Sequence, residues 1–218
     1  MRKALLAAGA ALALLGGGAH AAVFTHHQSD KRGDFLSGFP QQDRATNGDL
    51  DFTDLSVTFD QAGSAFLVSV TLADDIKNQP GAYVIGIDTG KGARGPFGGV
   101  GEPNILFDQA LVVLKNGSGV LGTPSGNQTL TATLAHNGFT IAIPLAFLPQ
   151  TGLDPRHFGF SAWSKRGAVL ADFVPDNKLL TAAGVPEPAA WAMLVGGFAV
   201  IGGSLRRRRA SNARLLKA

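Results

Sequence analysis

There is no cysteine among the 218 residues. Disulfides and thiolate metal centres are thereby excluded, so the fold rests on packing, alone or with a bound cation. Aromatics other than phenylalanine are scarce, with one tyrosine, two tryptophans and fourteen phenylalanines. Between the chain ends the only tryptophan is Trp163, so the paired tryptophans that commonly clamp a sugar are missing. Helical periodicity is almost absent from the same region. An excess of positive charge is absent there too, although the whole chain has a formal charge of +3. Eight of the 19 basic residues are Arg2, Lys3, Arg206, Arg207, Arg208, Arg209, Arg214 and Lys217, and only Glu187 of the 16 acids lies near them. The remainder carries 11 basic and 15 acidic residues, a net of −4, which excludes a nucleic-acid-binding footprint.

Both ends read as membrane-directed. Arg2 and Lys3 precede the apolar run Ala4 to Leu15, and Ala19-His20-Ala21 supplies a small-x-small site. This is the order of a secretory signal peptide over residues 1–21, cut between Ala21 and Ala22, since the run is too short to span a bilayer. At the other end Pro186-Glu187-Pro188 precedes the uncharged stretch Ala189 to Leu205, and Arg206, Arg207, Arg208 and Arg209 follow. Two prolines fix φ and remove two backbone donors, so a helix cannot run through them. As a transmembrane helix, residues 189–205 would be about 25 Å long against a hydrocarbon core of about 30 Å. The four arginines set the orientation and would hold residues 206–218 on the cytoplasmic side.

This ordered triplet resembles the PEP-CTERM sorting signal of Gram-negative bacteria. The resemblance implies export, a transient stay in the inner membrane, and recognition of Pro186, Glu187 and Pro188 by exosortase, a membrane-embedded protease. It further implies a destination at the cell surface or in the extracellular matrix, in association with exopolysaccharide. A plain tail anchor is the simpler alternative.

Between these ends the chain alternates in strand-length pieces. Val23 to Gly48 is polar and aperiodic, an arm or irregular first strand over residues 22–48. Leu55, Val57 and Phe59, then Phe66, Val68 and Val70, form a hairpin with one apolar face. Tyr83, Ile85 and Ile87 mark a third strand, and a Gly-rich loop runs from Thr89 to Pro103. Further strands are expected over 105–114, 129–134, 139–143, 158–162 and 168–173, with Asn137-Gly138 as a two-residue hairpin turn. About eight short strands predict an all-β, antiparallel, jelly-roll-like β-sandwich over residues 49–178, with a linker over 179–188; an enclosed barrel is the alternative. The order of elements is similar to carbohydrate-binding sandwiches of the family 9 and DOMON-like type. The similarity lies in Gly86-Ile87-Asp88-Thr89 before the Gly-rich loop and in Ala171-Asp172-Phe173-Val174-Pro175-Asp176.

Chemistry-bearing patterns are sparse. Gly90-Lys91-Gly92-Ala93-Arg94-Gly95 fits G-x-G-x-x-G, but Pro96 follows where a dinucleotide site needs a helix. Asn47, Asp49, Asp51 and Asp54 gather hard oxygen ligands that could hold Ca²⁺, although the commoner use of such residues is to cap a turn. Trp163 and Tyr83 would stack on a sugar ring if exposed; strand aromatics more commonly fill the core. His26, His27, His136 and His157 have no recognisable nucleophile or paired carboxylate, so no enzyme is expected. The sequence therefore points to an exported, structural or adhesive surface protein, with a carbohydrate-binding module as the second reading and a hydrolase as the third.

Overall fold

The computed structural model describes residues 23–77, 80–123 and 125–182. They form one sheet of eleven strands. These are β1 (Val23–Ser29), β2 (Phe52–Asp60), β3 (Ala65–Leu72), β4 (Ala82–Asp88), β5 (Gln109–Leu114) and β6 (Ser118–Thr123). Next come β7 (Gly126–Ala135), β8 (Gly138–Pro144), β9 (Gly159–Arg166), β10 (Val169–Val174) and β11 (Leu180–Thr181). The spatial order is β1-β2-β3-β8-β7-β6-β5-β4-β9-β10, with β11 beside β9. Every pairing is antiparallel.

The expected all-β antiparallel architecture is what the chain forms, and its two faces are continuous through one strand. The first part of β7, Gly126 to Thr131, pairs with β6, while Ala132 to Ala135 pair with β8. A single strand thus passes from one side of the molecule to the other. The sheet rolls up around a shared core and nearly closes as a barrel. Alternation decides which side chains enter that core. Leu55, Val57 and Phe59 of β2 are buried while Ser56 and Thr58 are not, and Phe66, Val68 and Val70 of β3 match them across the ladder. Phe139, Ile141 and Ile143 of β8 lie next to β3 on the same side, and Tyr83, Ile85 and Ile87 of β4 come from the facing side. Each such side chain contributes about 1.5–3 kcal/mol when fully buried.

A smaller apolar cluster covers the outer side of β4. Trp163, Phe173, Val84 and Ile105 are buried there, with Phe97 and Phe107 packed against them. Phe97 meets Trp163 and Phe173 edge-on at 5.0 Å between ring centroids, which pins the Gly-rich loop to the sheet. β4 is consequently covered on both faces. Gly86 makes this possible, because a Cβ there would lie 2.6 Å from the Trp163 ring.

Several elements differ from their sequence reading. Of the two expectations for residues 22–48, an arm or an irregular first strand, Val23–Ser29 forms a strand, a regular one paired with β2 along its whole length. Its side chains are mostly exposed, so it carries no apolar alternation. A one-turn helix, Gln41–Arg44, lies in the segment that the polar pattern leaves without one. β6 lies between the strands expected over 105–114 and 129–134, where none is expected, and β5 begins at Gln109 rather than Ile105. The sheet extends beyond residues 49–178 at both ends, through β1 and β11, and Ala182 is still fully buried. The β7–β8 hairpin turns at His136 and Asn137, one residue earlier than the Asn-Gly signal suggests. Gly138 is instead required by a close approach, since a Cβ there would overlap the Val70 carbonyl oxygen.

Among the described residues no helix is long and apolar enough to cross a membrane. The signal segment, the expected transmembrane helix over residues 189–205 and the basic tail over 206–218 lie outside them.

Candidate functional site

The ends of the rolled sheet meet along a seam that has no regular ladder. On one side are β1 and β2, and on the other β9, β10 and β11. Single hydrogen bonds cross it. The Leu36 N–H donates to the Ala171 carbonyl at 2.8 Å, and the Ser164 hydroxyl donates to the Leu50 carbonyl at 2.5 Å. His26 Nδ1 lies 3.0 Å from the Thr181 carbonyl oxygen, and Lys178 Nζ donates to Gln28 Oε1 at 2.8 Å.

Five aspartates gather at this seam. Asp30 and Asp34 lie in the turn after β1, Asp51 immediately precedes β2, Asp172 is in β10, and Asp176 precedes β11. Local backbone devices aim them together. Gly33, at φ 85°, lets the turn fold back so that its N–H donates to Asp51 Oδ2 at 2.8 Å. The Asp30 N–H donates to the Thr53 carbonyl at 2.9 Å, beside a β-bulge in β2. A second bulge, between Leu170 and Asp172, turns the Asp172 carboxylate inward, where Oδ2 accepts from the Phe52 N–H at 2.7 Å. Carboxylate oxygens of Asp34, Asp51 and Asp172 lie within 4.8 Å of one another, as do those of Asp30, Asp34 and Asp176. Asp34 belongs to both groups.

The site concentrates carboxyl groups without an ion-pair partner. Asp51 is 3% exposed and Asp172 1%. Asp30 Oδ2, Asp34 Oδ1 and Asp51 Oδ1 are buried and accept no hydrogen bond. Among the described residues no lysine, arginine or histidine pairs with any of the five. The nearest bases are engaged elsewhere, Arg32 with Asp74 and Lys178 with Gln28. Burial, reinforced by the neighbouring carboxylates, pushes Asp172 up to about 9 and Asp30 up to about 7. Burial likewise raises Asp51 to about 6, and it raises Asp176. Such a set of oxygens can accept a hard cation, whereas soft ligands are missing from it.

Compared with known proteins, the chain matches no protein-family model, no curated protein and no solved structure.

The residues singled out in the sequence are placed differently. Of Asn47, Asp49, Asp51 and Asp54, only Asp51 joins the acidic centre. Asp49 is fully buried and paired with Lys115, Nζ to Oδ2 at 2.5 Å, and also accepts the Lys77 N–H at 3.0 Å. Asp54 faces His27 at 3.3 Å across the β1–β2 pair, and the Asn47 amide donates to the Asp43 carbonyl at 2.8 Å. These four do not converge on one point, because Asn47, Asp49 and Asp51 belong to the 3₁₀ turn Gly48–Leu50 and its two flanks while Asp54 already lies in β2. Asp30, Asp34, Asp172 and Asp176 escape a reading of the sequence because they come from distant parts of the chain. One signal is available: Asp172 is a charged residue inside the apolar run Ala171-Asp172-Phe173-Val174.

Trp163 and Tyr83 are not brought together as a sugar platform. Trp163 is 5% exposed under Phe97 and Phe107, and Tyr83 is fully buried with its hydroxyl donating to the Asp49 carbonyl at 2.9 Å. In the G-x-G-x-x-G loop, the N–H groups of Thr89 and Lys91 both donate to Asp108 Oδ2, so they are not directed at an anion. The expected cleavage pair Ala21 and Ala22 lies outside the described residues, as does the sorting motif Pro186, Glu187 and Pro188. The orienting arginines Arg206, Arg207, Arg208 and Arg209 lie outside them as well.

Proposed function

We propose that this chain is an exported surface protein of the PEP-CTERM type, whose β domain serves a structural or adhesive, non-enzymatic role in an exopolysaccharide-associated matrix. The observation that carries this reading is the order of pieces at the C-terminus. Pro186-Glu187-Pro188, an uncharged stretch of 17 residues and four arginines follow one another directly. The position of the domain supports it. Ala182, the last of the described residues and fully buried, stands four positions before Pro186, so the motif would be held close to a folded body.

In this reading a signal peptide over residues 1–21 is removed and Ala22 becomes the first residue. The stretch Ala189 to Leu205 holds the protein in the inner membrane, with the domain outside and Arg206, Arg207, Arg208 and Arg209 inside. The stretch contains Gly196, Gly197, Gly202 and Gly203 and is slightly short, which suits temporary residence. Proline biases the residue before it towards extended backbone, so Val185 to Pro188 would be offered to exosortase in a form that a protease can bind. The finer architecture expected for the body is a jelly-roll-like sandwich. Replacing Pro186, Glu187 and Pro188 by alanine in an exosortase-bearing host tests the reading. The full-length form should accumulate in the inner-membrane fraction; unchanged delivery to the surface would refute it.

A further inference from the structure

We propose that Asp30, Asp34, Asp51, Asp172 and Asp176 form a binding site for a calcium-class divalent cation, which clasps the two ends of the sheet across the seam. This inference rests on the geometry of the described residues and not on the sorting reading.

Three observations lead to it. The carboxylates come from both sides of the seam, Asp30, Asp34 and Asp51 from the β1–β2 side and Asp172 and Asp176 from the β10–β11 side. Their oxygens lie close enough for one ion to touch several, because ligands at 2.3–2.6 Å from Ca²⁺ are themselves separated by up to about 5 Å. Asp51, almost wholly buried, points into the group with Oδ1 unpartnered, as are Asp34 Oδ1 and Asp30 Oδ2. Buried polar atoms are normally satisfied, and a carboxylate left without hydrogen bond or counter-charge is strongly disfavoured. A turn polarised only by backbone N–H groups would leave these oxygens as they are, whereas a cation beside Asp34, the residue common to both triads, supplies the missing counter-charge.

The ligand set also selects the ion. Two triads of carboxylates that share Asp34, with flexible bite and room for water oxygens, suit Ca²⁺, which takes six to eight oxygens. Mg²⁺ demands a tight octahedron and retains much of its water. Zinc and copper favour nitrogen and sulfur, which the group does not offer. Asp34, common to both triads, is the central ligand.

Bound here, the ion would replace repulsion across the seam by attraction, joining strands far apart in sequence. A ligand that binds only the folded state raises its melting temperature. The Asp34→Asn change removes one repelling charge, so without metal this variant should melt no lower than the natural protein.

The test uses the full chain purified in detergent, stripped with EDTA, and titrated with CaCl₂ by calorimetry and thermal melting. Saturable binding and a rise in melting temperature are expected. Asp34→Asn and the more exposed Asp176→Asn should each weaken Ca²⁺ binding at least tenfold, and Asp75→Asn should leave it unchanged. The inference is overturned if Ca²⁺ neither binds nor moves the melt. It is also overturned if both cluster variants bind as tightly as the natural protein, or if MgCl₂ at equal concentration shifts the melt as far as CaCl₂.

Discussion

Asp49 and Gly138 show how single residues are held by neighbours that are remote in sequence. Asp49 is buried and its principal counter-charge is Lys115, 66 positions away. Removing that lysine leaves a carboxylate in the interior without a counter-ion. Lys115→Met should therefore lower unfolding stability by about 3–5 kcal/mol, measured by urea titration. Double replacement with Asp49→Asn should recover part of this loss, because the stranded charge is then gone. At Gly138 the obstacle is backbone rather than charge. A methyl group would collide with the Val70 carbonyl oxygen, and neither strand can yield without breaking the β3–β8 ladder. Gly138→Ala should cost about 1–3 kcal/mol by the same titration, and a neutral result would mean that the β7–β8 hairpin is free to shift. Neither role is visible locally. The acids between Asn47 and Asp54 attract attention by their density, yet the partners of Asp49, Asp51 and Asp54 lie in three different parts of the fold.

Elements are legible in proportion to how unequal their two faces are. β2 and β3 have one buried and one polar face, and Leu55, Val57, Phe59, Phe66, Val68 and Val70 announce them. β1 is legible only as an arm or an irregular first strand because it is mostly exposed, and backbone pairing rather than side-chain burial holds it to β2. β6 carries Gly119 and Gly122, which weaken strand propensity and resemble a turn, although Val120 and Leu121 pair normally. The Gly-rich loop is a different case. Its composition reads as surface coil, yet Phe97 packs it onto Trp163, Phe107 and Phe173, beside the Arg94–Phe107 backbone pair and the Lys91 N–H on Asp108. Replacing Phe97 with alanine removes the loop's aromatic anchor and should loosen it while leaving the sheet intact. Trypsin should then cut at Lys91 and Arg94 at least several-fold faster than in the natural protein. Equal cutting rates would show that the aromatic contact does not restrain the loop.

For the molecule as a whole, closure of the sheet depends on a seam loaded with carboxylates, and this gives its stability a direction with pH. In metal-free protein, burial lifts Asp172 to about 9, Asp30 to about 7 and Asp51 to about 6, from an ordinary value of 3.8. The folded state thus holds these protons more tightly than the unfolded chain. Their stabilising contribution is complete below the ordinary carboxylate range and is lost as pH rises towards 9. In EDTA the melting temperature should fall between pH 5 and pH 9. Asp172→Asn, which keeps an acceptor for the Phe52 N–H, should flatten that fall; an undiminished slope would assign the pH dependence to other groups. The seam also places β11 beside β1, so the two ends of the described chain leave the domain from one region.

The sorting reading of the two chain ends is tested most directly by the intact mass of the protein recovered from the surface of an exosortase-bearing host. The expected species begins at Ala22 and ends near Pro186-Glu187-Pro188, without the arginine-rich tail. A surface species that still ends at Ala218 would contradict it and leave a plain membrane anchor.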